Sequence, residues 1–244
     1  YGYEGAKGLA KWLGETCDLS RQPHYGVVGE PTELSVVIAH KGAVRGSIRT
    51  AGVSAHSSQP DAGINAIYRM ARVINALERY HRDVLSEWHH PLVGPPTLSV
   101  SMIRGGQAPN VVPDECEITI DRRTLPAEDP IQAWKALMKY VRESEGIDFD
   151  VQFRQPSLID MGMEVPVDSP IVQRARNAVQ VILGRADLVG VSYGTDASKL
   201  AACGIPSVVL GPGSIKQAHA AVEFIEIEQL EQAVAIYLEL ISRE

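Results

Sequence analysis

The sequence predicts an α/β protein in which one α/β domain is interrupted by an inserted ferredoxin-like domain. Helices and short apolar strands alternate near both ends of the chain, which is typical of a doubly wound sheet. The middle segment has the order β-α-β-β-α-β, which is the split unit of a ferredoxin-like domain. We therefore assign residues 1–35 and 156–244 to the outer domain and residues 36–155 to the inserted domain.

The first element is an amphipathic helix, followed by an apolar strand that ends at Val28. Residues spaced for one helical face are Ala6, Leu9, Ala10 and Leu13. The sequence opens on Tyr1 rather than on Met and enters this helix almost at once. We therefore expect that a leader has been removed or that the sequence is a fragment.

The inserted domain begins with a β-rich run. Its predicted strands cover residues 35–50, 97–104, 115–122 and 148–153. The first helix is predicted over 61–80, because its apolar residues recur at helical spacing and Asp61 supplies a negative charge at its start. Asp129 and Pro130 are typical of the cap and first turn of the second helix.

The outer domain resumes with alternating helices and strands. Helices are predicted from residue 169, from about residue 196 and over 228–242. Strands are predicted near 188–191 and at 207–210. This alternation resembles that of residues 1–28, which is why we join the two ends of the chain into one domain.

Composition limits the classes of function. The chain has 244 residues, of which 45% are hydrophobic and 22% charged, so a sizeable core is available. The net charge of -7 and the scattered Lys and Arg argue against a nucleic-acid partner. No apolar run approaches the roughly 18 residues of a membrane span. The odd set Cys17, Cys116 and Cys203 indicates reduced thiols and a cytoplasmic location.

Two loops carry residues of the types that bind metal ions. Gly29-Glu30-Pro31-Thr32 and the segment 211–219, which ends in His219, each follow a short apolar strand and contain Pro and Gly. Open α/β sheets bind ligands at the carboxyl ends of their strands. A carboxylate and an imidazole suit zinc, whereas the alternative is that both are solvated loop residues.

The chain resembles the M20 family of zinc aminoacylases and peptidases, which includes acetylornithine deacetylase. The matching stretches, in family order, are Gly29-Glu30-Pro31-Thr32, Ala39-His40-Lys41-Gly42, residues 52–58 with Pro60, Gly63, Asn65 and Ala66, residues 109–113, Asp121-Arg122-Arg123, residues 193–197, and Gly211-Pro212-Gly213 with Ala218, His219 and Glu223. They span nearly the whole chain.

The resemblance implies two zinc ions, with cobalt as an alternative metal. It makes Glu30 and His219 metal ligands; the alternatives are a turn cap for Glu30 and a hydrogen-bonded loop residue for His219. The family's first His, its bridging Asp and its Glu-Glu pair have no counterpart at matching positions here. We therefore expect the C-terminal part of a dinuclear hydrolase, inactive by itself.

The resemblance also assigns residues of the inserted domain. It implies that His56 reaches the partner subunit's active site to stabilise the oxyanion, although His56 and Ser57 could instead cap the next helix. It implies that Asn110 positions the substrate, with a turn-forming Asn as the alternative. Arg123 would take the substrate carboxylate, or else lie on a solvated strand face; Arg122 should point to the opposite face.

Three residues of the outer domain complete the expected site. The resemblance gives Gly194 and Thr195 a role in binding the substrate carboxylate, against plain capping of the next helix, for which Asp196 is the candidate N-cap. Glu223 is either a residue that orients the His219 ring or a loop cap.

The expected function is therefore deacylation of an N-acyl amino acid or hydrolysis of a short peptide by a metal-dependent hydrolase, with deacylase favoured over dipeptidase or carboxypeptidase. The competing hypothesis is a noncatalytic fragment or dimerisation module. The expected partners are this small substrate and a second copy of the chain bound through the inserted domain, with no nucleic acid and no membrane.

Overall fold

The computed structural model describes residues 4–15, 23–218 and 220–242. The chain forms two compact units, the outer unit Tyr1–Lys41 with Met161–Glu244 and the inserted unit Gly42–Asp160. None of the helices described has the length and apolar character needed to cross a membrane.

The helices are α1 (Glu4–Glu15), α2 (Ala66–Arg79), α3 (Pro130–Glu143), α4 (Pro170–Leu183), α5 (Ala197–Ala202) and α6 (Ile227–Ser242). The strands are β1 (Gly26–Val28), β2 (Val36–His40), β3 (Gly42–Ala51), β4 (Thr97–Gly105), β5 (Glu115–Thr124), β6 (Val151–Phe153), β7 (Leu158–Asp160), β8 (Met163–Glu164), β9 (Leu188–Val191) and β10 (Ser207–Val209). The predicted α/β class is confirmed.

The outer unit has a mixed sheet in the order β1-β10-β2-β8, and β9 also pairs with β2. β1 and β10 are parallel, with Val28 opposite Val209. β2 runs antiparallel to β10, which differs from the parallel sheet expected of a doubly wound domain. The connection 29–35 is too short for a parallel crossover, so the chain reverses direction between β1 and β2.

The inserted unit has an antiparallel sheet in the order β4-β5-β3-β6, with β7 also pairing with β3. Its elements follow the predicted order β-α-β-β-α-β. Ile48 and Ile118 from the sheet pack with Met70 and Leu77 of α2 and Leu137 of α3 in one apolar core.

The two helices of the inserted unit begin differently. Asp129 Oδ1 accepts hydrogen bonds from Ile131 N at 2.7 Å and Gln132 N at 3.3 Å, so α3 starts as predicted. The predicted start of α2 at Asp61 is wrong, since Asp61 lies in a short 3-10 turn. Asn65 caps α2 instead by accepting from the backbone N–H groups of the second and third helical residues.

The boundary between the units differs from the sequence-based division at residue 36. β2 is fully buried and pairs with β10 and β9, which places it in the outer sheet. Only Lys41 separates β2 from β3. The sequence therefore reads as one continuous β-rich run, although its two halves lie in different sheets.

Two of the three cysteines lie in the described part of the chain, and both are free thiols. Cys116 is buried in the core of the inserted unit. The Cys203 thiol donates to the Ala10 carbonyl at 3.2 Å. Cys17 lies outside the described residues.

Candidate active site

The loops that follow β1 and β10 meet at one edge of the outer sheet. Because these strands are parallel neighbours, their carboxyl ends lie at the same edge. Leu210 N donates to Val28 O at 3.0 Å, and Thr32 N donates to Gly211 O at 3.2 Å. The predicted convergence of the two loops is confirmed for their described residues.

Thr32 joins the two loops from a buried position. Its hydroxyl donates to Ser35 O at 2.8 Å and accepts from Gly211 N at 3.1 Å. Thr32 also forms an antiparallel bridge with Ser214. The hydroxyl thus satisfies backbone groups of both loops away from water, where an unpaired group would be costly.

Glu33 and Leu34, the two residues after Thr32, have left-handed backbones, with φ of 53° and 61°. For residues other than glycine this conformation costs roughly 1–2 kcal/mol each. Leu34 is only 2% exposed. Its N–H donates to Gly211 O at 3.1 Å, and Glu33 N donates to Gly213 O at 2.8 Å. Burial and cross-loop hydrogen bonds therefore hold a strained turn beside Glu30.

Glu30 is half-buried, and its backbone lies against Gly211. A Cβ atom at position 211 would lie 2.5 Å from Glu30 O, so only glycine allows this approach. The pKa of Tyr193 is raised, first by burial and then by the negative charge of Glu30. Among the described residues the buried Tyr193 hydroxyl has no hydrogen-bond partner. Tyr193 is thus a neighbour of Glu30 that sequence reasoning did not single out.

His219 lies outside the described residues. The segment before it contributes Gly213 and Ser214 to a cavity of about 330 Å³, which Pro31 and Glu223 also line. Glu223 therefore borders the loop pair that contains Glu30. Its expected role toward the His219 ring stays a prediction.

Glu30 offers the carboxylate oxygens that suit zinc. Within residues 4–15, 23–218 and 220–242, however, no group of three or more His, Cys, Asp and Glu side chains could hold a metal ion. The described residues do not form a complete metal site by themselves, and Glu30 is the one predicted ligand among them.

Thr195 is fully buried in the turn before α5. Its hydroxyl accepts from Ala197 N at 3.2 Å, and its carbonyl accepts from Ser198 Oγ at 3.1 Å. Asp196 makes no capping hydrogen bond through its side chain. Thr195 thus caps α5 in place of Asp196. Gly194, the residue before Thr195, is half-buried.

His56 and Asn110 lie on adjacent loops of the inserted unit. His56 pairs with Val111 in an antiparallel bridge, and Ser57 N donates to Asn110 O at 3.0 Å. Both His56 and Asn110 are exposed. The alternative role of His56 and Ser57 as caps of α2 is wrong, because Asn65 caps that helix.

Arg122 and Arg123 point to opposite faces of β5, as predicted. Arg122 is 1% exposed and pairs with Glu128 at 2.5 Å, and burial lowers its pKa. Arg123 is half-buried and donates from Nε to Asp121 Oδ1 at 2.7 Å. Asp121 also accepts from Arg45 Nε at 2.5 Å. Arg123 is therefore engaged by a carboxylate of its own strand.

Comparison with known proteins agrees with this arrangement. Residues 38–147 match the M20 dimer family, a peptidase dimerisation domain. Acetylornithine deacetylase of Aliivibrio fischeri (strain MJ11) is 34% identical over 232 residues, which is 91% of this chain and 58% of the relative. That of Myxococcus xanthus is 33% identical over 240 residues, which is 96% of this chain and 60% of the relative. The chain thus spans somewhat more than half the length of these relatives.

Solved structures share the fold. Aminopeptidase PepT from Bacillus cereus ATCC 10987 has a TM-score of 0.75 and 24% identity, covering 98% of this chain and 61% of that one. The di-peptidase Dug1p from Saccharomyces cerevisiae has a TM-score of 0.74 and 14% identity, covering 100% of this chain and 64% of that one.

Residues 38–147 thus carry the domain of the M20 dimer family, and the chain shares its fold with solved peptidase structures. The resemblance expected from the sequence is confirmed: the chain carries an M20 peptidase dimerisation domain and is a homologue of acetylornithine deacetylases.

Proposed function

We propose that the chain forms part of a metal-dependent amide hydrolase that removes the acyl group from N-acyl amino acids. The observation that carries this proposal is the identity of 34% to an acetylornithine deacetylase over 91% of the chain, which includes both units. The convergence of the Glu30 and Gly211 loops supports it. Dipeptidase or carboxypeptidase activity is the alternative, since peptidases share the fold.

We propose Glu30 and His219 as ligands in a site for two zinc ions, with cobalt as an alternative metal. Zinc, when bound, supplies the Lewis acidity that polarises an amide carbonyl and activates water. The chain's own contribution is to hold the Glu30 carboxylate still. The strained turn at Glu33 and the Thr32 bridge to Gly211 support that role.

We propose that His56 and Asn110 act together on the reacting carbonyl. An imidazole N–H at an exposed loop position can donate to the oxygen that gains charge in the transition state. The adjacent backbones of the two loops support a joint role. Arg123 and the Gly194-Thr195 turn are proposed for the substrate carboxylate, for which Arg123 would exchange its Asp121 partner.

A homodimer is proposed through the inserted unit. In the described part of the chain β4 is an edge strand, and it exposes Met102 and Ile103 at 49% and 56%. An exposed apolar edge strand is prone to pair with another strand. On α2, Tyr68 is 68% exposed.

The cytoplasmic location inferred from the reduced cysteines also stays a prediction.

The competing proposal is that the 244-residue chain alone binds and pairs but turns nothing over. It is supported because the sequence has no counterpart, at matching positions, of the first His, the bridging Asp and the Glu-Glu pair that the resemblance calls for. The test is to assay the purified chain on N-acetyl amino acids and dipeptides with added zinc or cobalt, and to measure bound metal. Turnover with stoichiometric zinc would exclude the noncatalytic proposal for the chain alone.

The decisive activity test uses the protein read from the full gene. We expect turnover of N-acetyl amino acids, and we expect His56→Ala and His219→Ala each to abolish most of it. Mixing the two inactive variants should restore part of the activity if His56 serves the partner's site, since one site of the heterodimer then holds both histidines. Heterodimers without recovered activity would mean that His56 serves its own subunit or has no catalytic role.

A further inference from the structure

We propose that Ser58 is a positioning residue that fixes the ring and the tautomer of His56. Ser58 N donates to His56 Nδ1 at 3.2 Å, and Ser58 Oγ lies 2.7 Å from the same nitrogen. A ring nitrogen that accepts from a backbone N–H carries no proton itself. The proton of the neutral imidazole therefore lies on Nε2.

The backbone around His56 is held from both sides, so the ring is the part left to fix. Val112 N donates to Ala55 O at 2.8 Å, and Gln59 N donates to His56 O at 2.9 Å. Within the described residues, Ser58 is the only hydrogen-bond partner of the His56 ring. The side chain is exposed, so packing restrains the ring less than it would in a core.

The catalytic consequence rests on the proposed function. A donor to the developing oxyanion must present an N–H group. Ser58 contacts Nδ1, so the N–H group at Nε2 is the one left to donate. Without the Ser58 hydroxyl only the longer contact from the Ser58 backbone N–H holds Nδ1, so the ring rotates more freely and the Nδ1–H tautomer, which offers no proton at Nε2, becomes more populated. Ser58 thus acts through His56 and not on the substrate.

The chain itself allows a test that needs no activity. With ¹⁵N-labelled histidine, two-bond ¹H–¹⁵N spectra distinguish the two neutral tautomers, and His56→Gln assigns the His56 signals. We expect wild-type His56 to be in the Nε2–H form. Ser58→Ala should move its signals toward those of a tautomer mixture, while Ser58→Thr, which keeps the hydroxyl, should retain the wild-type pattern.

The adjacent serine provides the matched control. Ser57→Ala removes a hydroxyl from the same loop, and we expect it to leave the His56 signals unchanged. An Nδ1–H pattern in the wild type, or a Ser58→Ala spectrum identical to the wild type, would overturn the proposal. An equal shift in both alanine variants would also overturn it, because it would indicate a general loosening of the loop.

Kinetics of the full-gene protein separate this inference from the proposed function. Ser58→Ala should lower kcat about 10-fold, the scale of one net hydrogen bond, with KM and bound metal unchanged. In the double variant, adding Ser58→Ala to His56→Ala should lower kcat no further. If His56→Ala itself keeps full activity, the proposed function of His56 fails. If His56→Ala is inactive and Ser58→Ala is not impaired, only the positioning role fails.

Discussion

Thr32 and Gly211 bind each other in both directions: Thr32 N–H donates to the Gly211 carbonyl at 3.2 Å, and Gly211 N–H donates to the Thr32 hydroxyl at 3.1 Å. The two residues lie on loops that follow parallel neighbouring strands. Their reciprocal pairing ties the Glu30 loop to the loop that leads toward His219. The candidate active site therefore depends on a buried hydroxyl as well as on the proposed metal ligands.

Replacing Thr32 by Val should destabilise the outer unit by about 1–3 kcal/mol, because the buried Gly211 N–H loses its acceptor. The shape of the side chain is nearly kept, so lost packing contributes little. Thr32→Ser keeps the hydroxyl and is the matched control. Urea unfolding followed separately for each unit checks this, and equal stabilities for Val and wild type at position 32 would refute it.

Replacing Glu33 by Gly should stabilise the protein by about 0.5–1 kcal/mol. Glycine adopts the left-handed backbone without the cost that Glu33 bears at φ 53°, although its own backbone entropy offsets part of the gain. Glu33→Ala removes the same carboxylate but keeps the strain, so it should not stabilise. Thermal unfolding of the two variants distinguishes backbone strain from charge.

The buried ion pair of the inserted unit should contribute far more to the free energy of unfolding than a more exposed pair does. Arg122 is 1% exposed and Glu128 14%, so Glu128→Ala leaves a buried charge unpaired and should cost about 3 kcal/mol. Arg154 and Glu117 form a more exposed pair at 2.9 Å, and Glu117→Ala should cost at most about 1 kcal/mol. Comparable losses in urea unfolding would contradict this ranking.

Tyr237 should make stability fall at alkaline pH. Its hydroxyl donates to Leu210 O at 2.6 Å, and burial raises its pKa above the ordinary value. The unfolded chain ionises this group near pH 10 while the folded chain keeps its proton, so the stabilisation present below about pH 10 is lost as pH rises further. Tyr237→Phe should be less stable at pH 8, and its deficit should shrink above pH 10. A deficit independent of pH would show that the phenol ionises alike in both states.

Much of the fold follows from local patterns in the sequence. The strands Gly26–Val28 and Ser207–Val209 are short apolar runs closed by Gly and Pro, and Asp129-Pro130 starts α3 with a strong cap. These signals act over a few neighbouring residues. For that reason they survive in the folded protein and can be interpreted without knowledge of the tertiary structure.

Other features depend on contacts between distant segments. β2 and β3 form a continuous apolar pattern, and only strand pairing shows that they lie in different sheets. The left-handed backbone at Leu34 has no signal in the residue itself, since contacts to residue 211 impose it. The proximity of Tyr193 to Glu30 likewise arises from separate loops. The candidate ligands follow from the family resemblance, whereas the supporting roles of Leu34 and Tyr193 follow from the folded structure.

Glu30 is proposed as a metal ligand of an amide hydrolase. The most direct measurement is bound zinc and turnover of N-acetyl amino acids in the full-gene protein, compared between Glu30→Gln and Glu33→Gln, a control that removes an exposed carboxylate of the same loop. We predict about two zinc ions per chain in the wild type and the control. In Glu30→Gln we predict loss of zinc and of at least about 100-fold in kcat. Full zinc content and activity in Glu30→Gln would show that Glu30 is not a metal ligand.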